Sequence, residues 1–169
     1  IYVSGTIGDA ALGVKLLKGE IAGRDSGDFP RLIDRYRLPR PRVALGVALR
    51  GIAAAGADIS DGLVADLGHI CDTSGVGAEI DAARLPLADE ARRLVDAAPE
   101  LLETVLTGGD DYELVVTAPP GAARAVTDAA AGAGVVLSPI GRTKAEPGIV
   151  VRAGDGRKID VKSIGYKHF

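Results

Sequence analysis

The chain has 169 residues, of which 47% are hydrophobic and 25% charged, so it can bury the core of a single domain of ordinary size. Its formal net charge of −3 gives no electrostatic reason to expect nucleic acid as a partner. No apolar run approaches the ~18 residues of a membrane span, and no signal segment opens the chain, so we expect no membrane association and a cytoplasmic location. Cys71 is the only cysteine, which excludes a disulfide framework and a thiolate metal cluster.

The first part of the chain is predicted to pass from a strand into a helix. Residues 1–4 alternate like a strand and end at a glycine. Thr6 suits a helix N-cap, with Asp9 three residues later, ahead of a helical run over 10–20. Residues 22–30 have the composition of a loop.

The next part contains an arginine-rich stretch and an apolar one. Residues 31–42 are predicted to be a solvated connector, punctuated by two prolines. The Ala-rich residues 43–55 indicate a buried helix. Residues 57–60 form a short extended piece, and 62–72 a helix. This second helix has three apolar residues on one face: Leu63, Leu67 and Ile70.

The remainder is predicted to alternate again and to finish in strands. A strand and turn fall within 76–86, a helix spans 87–98, and 101–106 is a helical turn or a strand. A glycine turn within 107–120 leads into a β-rich run. The segments that follow are a helix over 121–134 and closing strands within 135–143, 148–153 and 158–164. This order favours an α+β fold, a mixed β-sheet packed with helices, over a regular doubly wound fold.

Three polar residues occur together where the second extended piece turns into a helix. Asp58 and Ser60 leave an extended chain on the same face, and Asp61 follows at the first helical turn. Carboxylates at such a junction can hold Mg²⁺, and the helix amino terminus attracts phosphate. The alternative is that Ser60 caps the helix and Asp61 complements its dipole.

Other polar features each have a structural alternative. "GGDD" at 108–111 is a second acidic site or a solvated turn. "SGTIGD" at 4–9 resembles a phosphate cradle without a Walker lysine, and close strand–helix packing accounts for it equally well. The arginines of 31–42 could dock phosphates. His69 is interpreted as an ordinary helical histidine.

Four motifs in this order resemble the thiamine-monophosphate kinase family: "YVSGTIGDAALGV", "DISDGLVADLGHI", "TGGDDYELVVT" and the terminal "GYKHF". The chain resembles the carboxyl-terminal half of such enzymes, within the wider aminoimidazole ribonucleotide synthetase superfamily. This agrees with the absence of methionine, so we expect residues 1–169 to be one domain of a two-domain enzyme whose amino-terminal domain is absent. The resemblance implies transfer of a phosphoryl group from ATP to thiamine monophosphate, giving thiamine diphosphate, with Mg²⁺.

The resemblance also implies roles for particular residues. Asp58 and Asp61 look like Mg²⁺ ligands, and Ser60 looks like an ATP contact. Asp110 and Tyr166 correspond to positions that contact thiamine monophosphate. A phosphate acceptor is already anionic, so the lack of a catalytic His or Cys fits this chemistry.

The resemblance further predicts a homodimer for the full-length enzyme and an inactive fragment, because further metal ligands belong to the missing half. Two alternatives remain at this stage. One is another ATP-using enzyme of the same superfamily, and the other is a non-catalytic nucleotide-binding module.

Overall fold

The structure is a computed structural model that describes residues 1–161. Its strands are β1 (Tyr2–Ser4), β2 (Ala55–Asp58), β3 (Gly77–Asp81), β4 (Leu114–Thr117), β5 (Leu137–Pro139), β6 (Gly141–Lys144), β7 (Gly148–Arg152) and β8 (Lys158–Ile159). Its helices are α1 (Asp9–Leu17), α2 (Pro30–Arg37), α3 (Val43–Ala48), α4 (Leu63–Ser74), α5 (Asp89–Ala97), α6 (Leu101–Thr107) and α7 (Ala123–Gly132). Among these helices none combines the length and the apolar character that a membrane span requires.

The first sheet has the strand order β2–β4–β1–β5 and is antiparallel throughout. Because β1 and β2 both pair antiparallel with β4, they run in the same direction and end at the same edge. Val3 and Ala57 both lie opposite Val115, and Asp58 lies opposite Leu114. The loops that follow β1 and β2 therefore meet the segment that precedes β4.

The second sheet has the order β6–β3–β7–β8 and is mixed, because β3 and β7 are parallel while the outer pairs are antiparallel. Helix α4 contacts strands of both sheets. Leu63, Leu67 and Ile70 on its inner face are buried in the main core, as the spacing predicted. The predicted α+β class with a mixed sheet packed by helices is confirmed, with the strands divided between two sheets.

The prediction of a solvated connector over 31–42 is wrong. Pro30 starts helix α2, at a position where its missing N–H costs nothing. Leu32 and Ile33 are buried, and Arg35 is only 7% exposed. The many arginines suggested a solvent-exposed segment. In the structure, the buried Arg35 is paired with the carboxylate of Glu113, 78 residues away.

The apolar stretch 43–55 also differs from the prediction. Only residues 43–48 are helical, as α3, and within this helix only Leu45 is buried. Val43 and Val47 are 71% and 60% exposed. Gly51 has a φ of 76°, which favours glycine and belongs to the turn that leads into β2.

Helices α1 and α2 approach each other closely at Gly13. A Cβ atom on Gly13 would lie 2.3 Å from the backbone carbonyl oxygen of Leu32. A backbone atom cannot move aside as a flexible side chain can, so any larger residue would force the helices apart.

We expect Gly13→Ala to lower the free energy of unfolding by about 1–3 kcal/mol, as overpacking typically does. Gly132→Ala is the matched control, since Gly132 also lies in a helix and a Cβ there would meet no atom within 4 Å. The control should be neutral or stabilising by up to about 1 kcal/mol. Denaturant unfolding measures both, and equal stabilities would contradict the close approach.

Candidate functional site

Four of the five predicted site residues lie at one edge of the antiparallel sheet. Asp58 ends β2, and Ser60 and Asp61 follow it in the turn before α4. The backbone N–H of Asp110 donates a 3.0 Å hydrogen bond to the carbonyl oxygen of Ser60, so the two acidic segments are neighbours. Asp58 and Asp110 are exposed, whereas Ser60 and Asp61 are half-buried. The fifth residue, Tyr166, lies outside the described residues, and its role stays a prediction.

Glycines allow this close approach. A Cβ on Gly109 would lie 2.0 Å from the carbonyl oxygen of Ser60. Gly62 has a φ of 124°, and a Cβ there would lie 2.5 Å from the carbonyl oxygen of Thr107. Residues with side chains would separate the two acidic turns at either position.

The start of α4 is held by Asp66, which the sequence analysis did not single out. Oδ2 of the buried Asp66 accepts hydrogen bonds of 3.1 Å from the backbone N–H groups of Ser60, Asp61 and Gly62. The N-cap residue is Gly62, without a side-chain cap. The alternative in which Ser60 caps the helix is therefore wrong. The position of Asp66, an acidic residue in the first turn of the predicted helix, could have indicated this role in the sequence.

Asp61 also lies beside His69. Asp61, Asp66 and His69 each offer one ligand atom, and the three atoms lie within 4.8 Å of one another. His69 is exposed on α4. Asp58 is not part of this group. The carboxylate oxygens of Asp58 and Asp61 are donors of the kind that Mg²⁺ prefers, so the residues at this edge fit the predicted ion.

The two aspartates of "GGDD" have opposite environments. Asp110 is exposed with a φ of 67°, whereas Asp111 is 1% exposed. The Asp111 carboxylate accepts hydrogen bonds from the backbone N–H groups of Gly8, at 2.5 Å, and Ala10, at 3.1 Å. The carboxylate of Asp111 thus accepts the hydrogen bonds of the free N–H groups at the amino terminus of α1, although it lies 103 residues from Gly8 in the sequence.

The predicted N-cap at Thr6 is therefore wrong. Gly8 is the N-cap residue of α1, and it has a left-handed backbone conformation with a φ of 78°. Thr6 instead donates its hydroxyl hydrogen to Oδ2 of Asp9. The prediction used only neighbouring residues, Thr6 and Asp9. The acceptor of the N–H groups at this helix end is Asp111, which comes from the turn before β4.

Glu113 is the centre of a buried ionic group and was also missed. It is 0% exposed and accepts hydrogen bonds from the Ser4 hydroxyl, at 2.5 Å, and from Arg35, at 3.0 Å. Arg42 donates to it through Nε and Nη2, at 2.7 and 2.5 Å. Nη2 of Arg35 also donates to the Asp111 carbonyl oxygen at 2.8 Å. Arginines from the supposed connector therefore hold the segment that carries Asp110.

Burial raises the pKa of Asp111 to about 7. The unfolded chain releases this proton at about pH 4, whereas the folded chain retains it up to about pH 7. The contribution of Asp111 to the free energy of unfolding should therefore fall as pH rises from about 4 to about 7, and level off above. Asp111→Asn removes this titration.

The difference in free energy of unfolding between the unsubstituted chain and Asp111→Asn should thus decrease over that pH interval. Urea unfolding at a series of pH values measures it. Asp110→Asn, on the exposed neighbour, controls for the general loss of one carboxylate from the turn. A difference that does not vary with pH would show that Asp111 is ionised throughout.

Residues 1–154 match the family described as AIR synthase related protein, C-terminal domain. The thiamine-monophosphate kinase of Escherichia coli (strain K12) is 41% identical over 170 residues, covering all of this chain and 52% of that protein. The chain spans about half the length of the curated relatives it matches.

Two solved structures share both fold and sequence with the chain. The thiamine-monophosphate kinase from Stenotrophomonas maltophilia K279a has a TM-score of 0.81 and 39% identity, covering 94% of this chain and 50% of that one. AaThiL complexed with AMPPCP and TMP has a TM-score of 0.77 and 34% identity, covering 99% and 50%. The resemblance inferred from the four motifs is confirmed. The chain belongs to the family of AIR synthase related proteins, as a C-terminal domain, and is similar along its length to one half of thiamine-monophosphate kinases.

Proposed function

We propose that the full-length protein containing this chain transfers the γ-phosphoryl group of ATP to thiamine monophosphate, producing thiamine diphosphate in a Mg²⁺-dependent reaction. The observation that carries the proposal is the hydrogen bond from Asp110 to Ser60, which joins the two acidic turns at one edge. The similar AaThiL structure supports it, since that protein is complexed with AMPPCP, a methylene analogue of ATP, and with TMP.

The proposed roles are those that the family resemblance implies, and four of the five residues lie together at the edge described above. Asp58 and Asp61 hold Mg²⁺, and Ser60 contacts ATP. Asp110 and Tyr166 contact thiamine monophosphate. Bound Mg²⁺ would offset the negative charge of the phosphates.

Position is the main contribution of the protein in this proposal. The acceptor phosphate is anionic, so no side chain is needed to remove a proton from it. The two substrates must be held in line against their mutual repulsion. Asp66 fixes the turn that carries Ser60 and Asp61 through three backbone hydrogen bonds, and Arg35 fixes the turn that carries Asp110.

We further propose that the full-length enzyme is a cytoplasmic homodimer that binds neither nucleic acid nor membranes. The charge of the chain and the family resemblance support this proposal. Dimer contacts are expected mainly in the other half of the enzyme.

The full-length protein should form thiamine diphosphate from ATP and thiamine monophosphate, and a chelator should abolish the product. Chromatography with fluorescence detection measures it. Residues 1–169 alone should give no product, since further metal ligands are expected in the other half. Robust turnover by residues 1–169 alone would contradict the two-domain proposal. Turnover with a different acceptor would indicate another enzyme of the superfamily, and nucleotide binding without turnover a binding module.

In the full-length enzyme, Asp58→Asn and Asp61→Asn should each lower kcat by at least ~10²-fold. Each substitution removes a carboxylate that is proposed to hold Mg²⁺, and with it the preorganised positive charge that stabilises the phosphates. The melting temperature should change little, since Asp66 holds the helix start. Asp72→Asn, an exposed substitution on α4, is the matched control and should leave kcat unchanged. Near-normal turnover in both variants would contradict the metal assignment.

A further inference from the structure

A cavity beside the acidic residues brings together two features of the sequence, "SGTIGD" at 4–9 and the arginine-rich stretch 31–42. It has a volume of about 700 Å³ and lies between the loop after β1, helix α2 with the residues that follow it, and the loop before β5. Gly5 and Thr6 of "SGTIGD" line one side. The lining includes none of Asp58, Ser60, Asp61 and Asp110.

Four arginines line this cavity: Arg31, Arg35, Arg40 and Arg42. The acidic residue in the lining is Asp34, whose Oδ2 lies 3.7 Å from Nη2 of Arg40. Two buried carboxylates outside the lining also form ion pairs with these arginines: Glu113 with Arg35 and Arg42, and Asp9 with Arg31. The lining itself thus carries four guanidinium groups and one carboxylate, so its charge is positive.

Arg31 and Arg40 remain accessible to a ligand. Their side chains are 56% and 66% exposed, and their ion pairs are long, at 3.8 Å to Asp9 and 3.7 Å to Asp34. Nη2 of Arg31 lies 3.4 Å from the Thr6 hydroxyl oxygen. Guanidinium groups with free N–H donors are suited to phosphate oxygens.

Arg35 supplies an independent observation. Its side chain is 8% exposed, and its Nη1 has no hydrogen-bond partner among the described residues. A buried donor without an acceptor is costly. Nη2 of the same guanidinium group donates to Glu113 and to the Asp111 carbonyl oxygen, so Nη1 is a buried donor without a partner on a residue that lines the cavity.

The cavity is larger than an inorganic anion needs and has an apolar side. Pro30, Pro86, Val135 and Val136 contribute to its lining. Pockets of this size typically hold organic ligands, with a few polar groups that fix their orientation.

We propose that this cavity is a second ligand site, which binds a phosphorylated organic molecule without a metal ion. The phosphate contacts Arg31 and Arg40, with Arg35 behind them, and the organic part lies against the prolines and valines. The site goes beyond the proposed kinase reaction, since Arg31, Arg40 and the apolar residues of the lining have no role in that reaction.

The test is a titration of the ¹⁵N-labelled chain, in Mg²⁺-free buffer, with inorganic phosphate and with AMP, followed by NMR. We expect backbone shifts at Gly5, Thr6 and Val135, and tighter binding of AMP than of phosphate. Arg31→Ala combined with Arg40→Ala should weaken AMP binding at least ~10-fold, as expected for lost charge-assisted hydrogen bonds. Arg124→Ala combined with Arg157→Ala, which removes two exposed arginines outside the cavity, should leave it unchanged.

Three results would overturn the proposal. Equal weakening in the control would show diffuse attraction to a charged surface. Backbone NMR shifts confined to residues 58–62 would place the ligand at the proposed kinase site instead. If AMP bound no more tightly than phosphate, the proposed contact between the organic part of the ligand and the apolar side of the cavity would be contradicted. The shift map of the unsubstituted chain locates the ligand even if the double variant is less stable.

Discussion

The pairing of the Glu113 carboxylate with Arg35 and Arg42 is the interaction on which the architecture of the site depends. A charge at 0% exposure is tolerated only when it is fully paired, and Ser4 completes the set. These partners tie the start of β4 to the end of β1, to α2 and to the residue before α3. A Cβ on Gly5 would lie 2.3 Å from Oε1 of Glu113, so the glycine after β1 is part of the same arrangement. Removing one partner from such a group typically costs about 3–5 kcal/mol.

This anchoring explains an unusual backbone in the neighbouring turn. Asp110 and Tyr112 have φ values of 67° and 50°, which residues with side chains rarely adopt. Such conformations persist only where the surroundings enforce them. Here Asp111 is fixed by the amino terminus of α1, and Glu113 by the arginines. The buried Asp111 and Glu113 therefore hold the exposed Asp110 at the edge in a rigid frame, which suits the proposed reaction because that reaction depends on position.

The sequence predicts the parts of this fold that depend on local periodicity. The buried face of α4, the helices α5 and α7 and the strands within 135–144 and 148–153 follow from apolar spacing, and the acidic residues at 58–61 and 110 were recognisable as motifs. Of the strand predicted within 158–164, residues 162–164 lie outside the described residues. The missed features depend on contacts between distant residues. Arg35 and Glu113 are 78 residues apart, and Asp111 and Gly8 103 residues apart. Local composition cannot reveal that an arginine-rich segment is buried, or that a helix end is satisfied by a carboxylate from another turn.

The same edge carries charges of opposite sign on its two sides. On the β2 side, Asp58, Asp61 and Asp110 present carboxylates, which repel phosphate unless a cation lies between them. On the side of β1 and β5, Arg31 and Arg40 present guanidinium groups that attract phosphate directly. Glu113 pairs with Arg35 and Arg42 from behind this second side, so part of the arginine charge is balanced internally. At the proposed kinase site, phosphate binding would therefore depend on a divalent cation, whereas binding at the proposed second site would not need one and would weaken with salt. This difference would separate the two proposed sites even for a ligand that fits both.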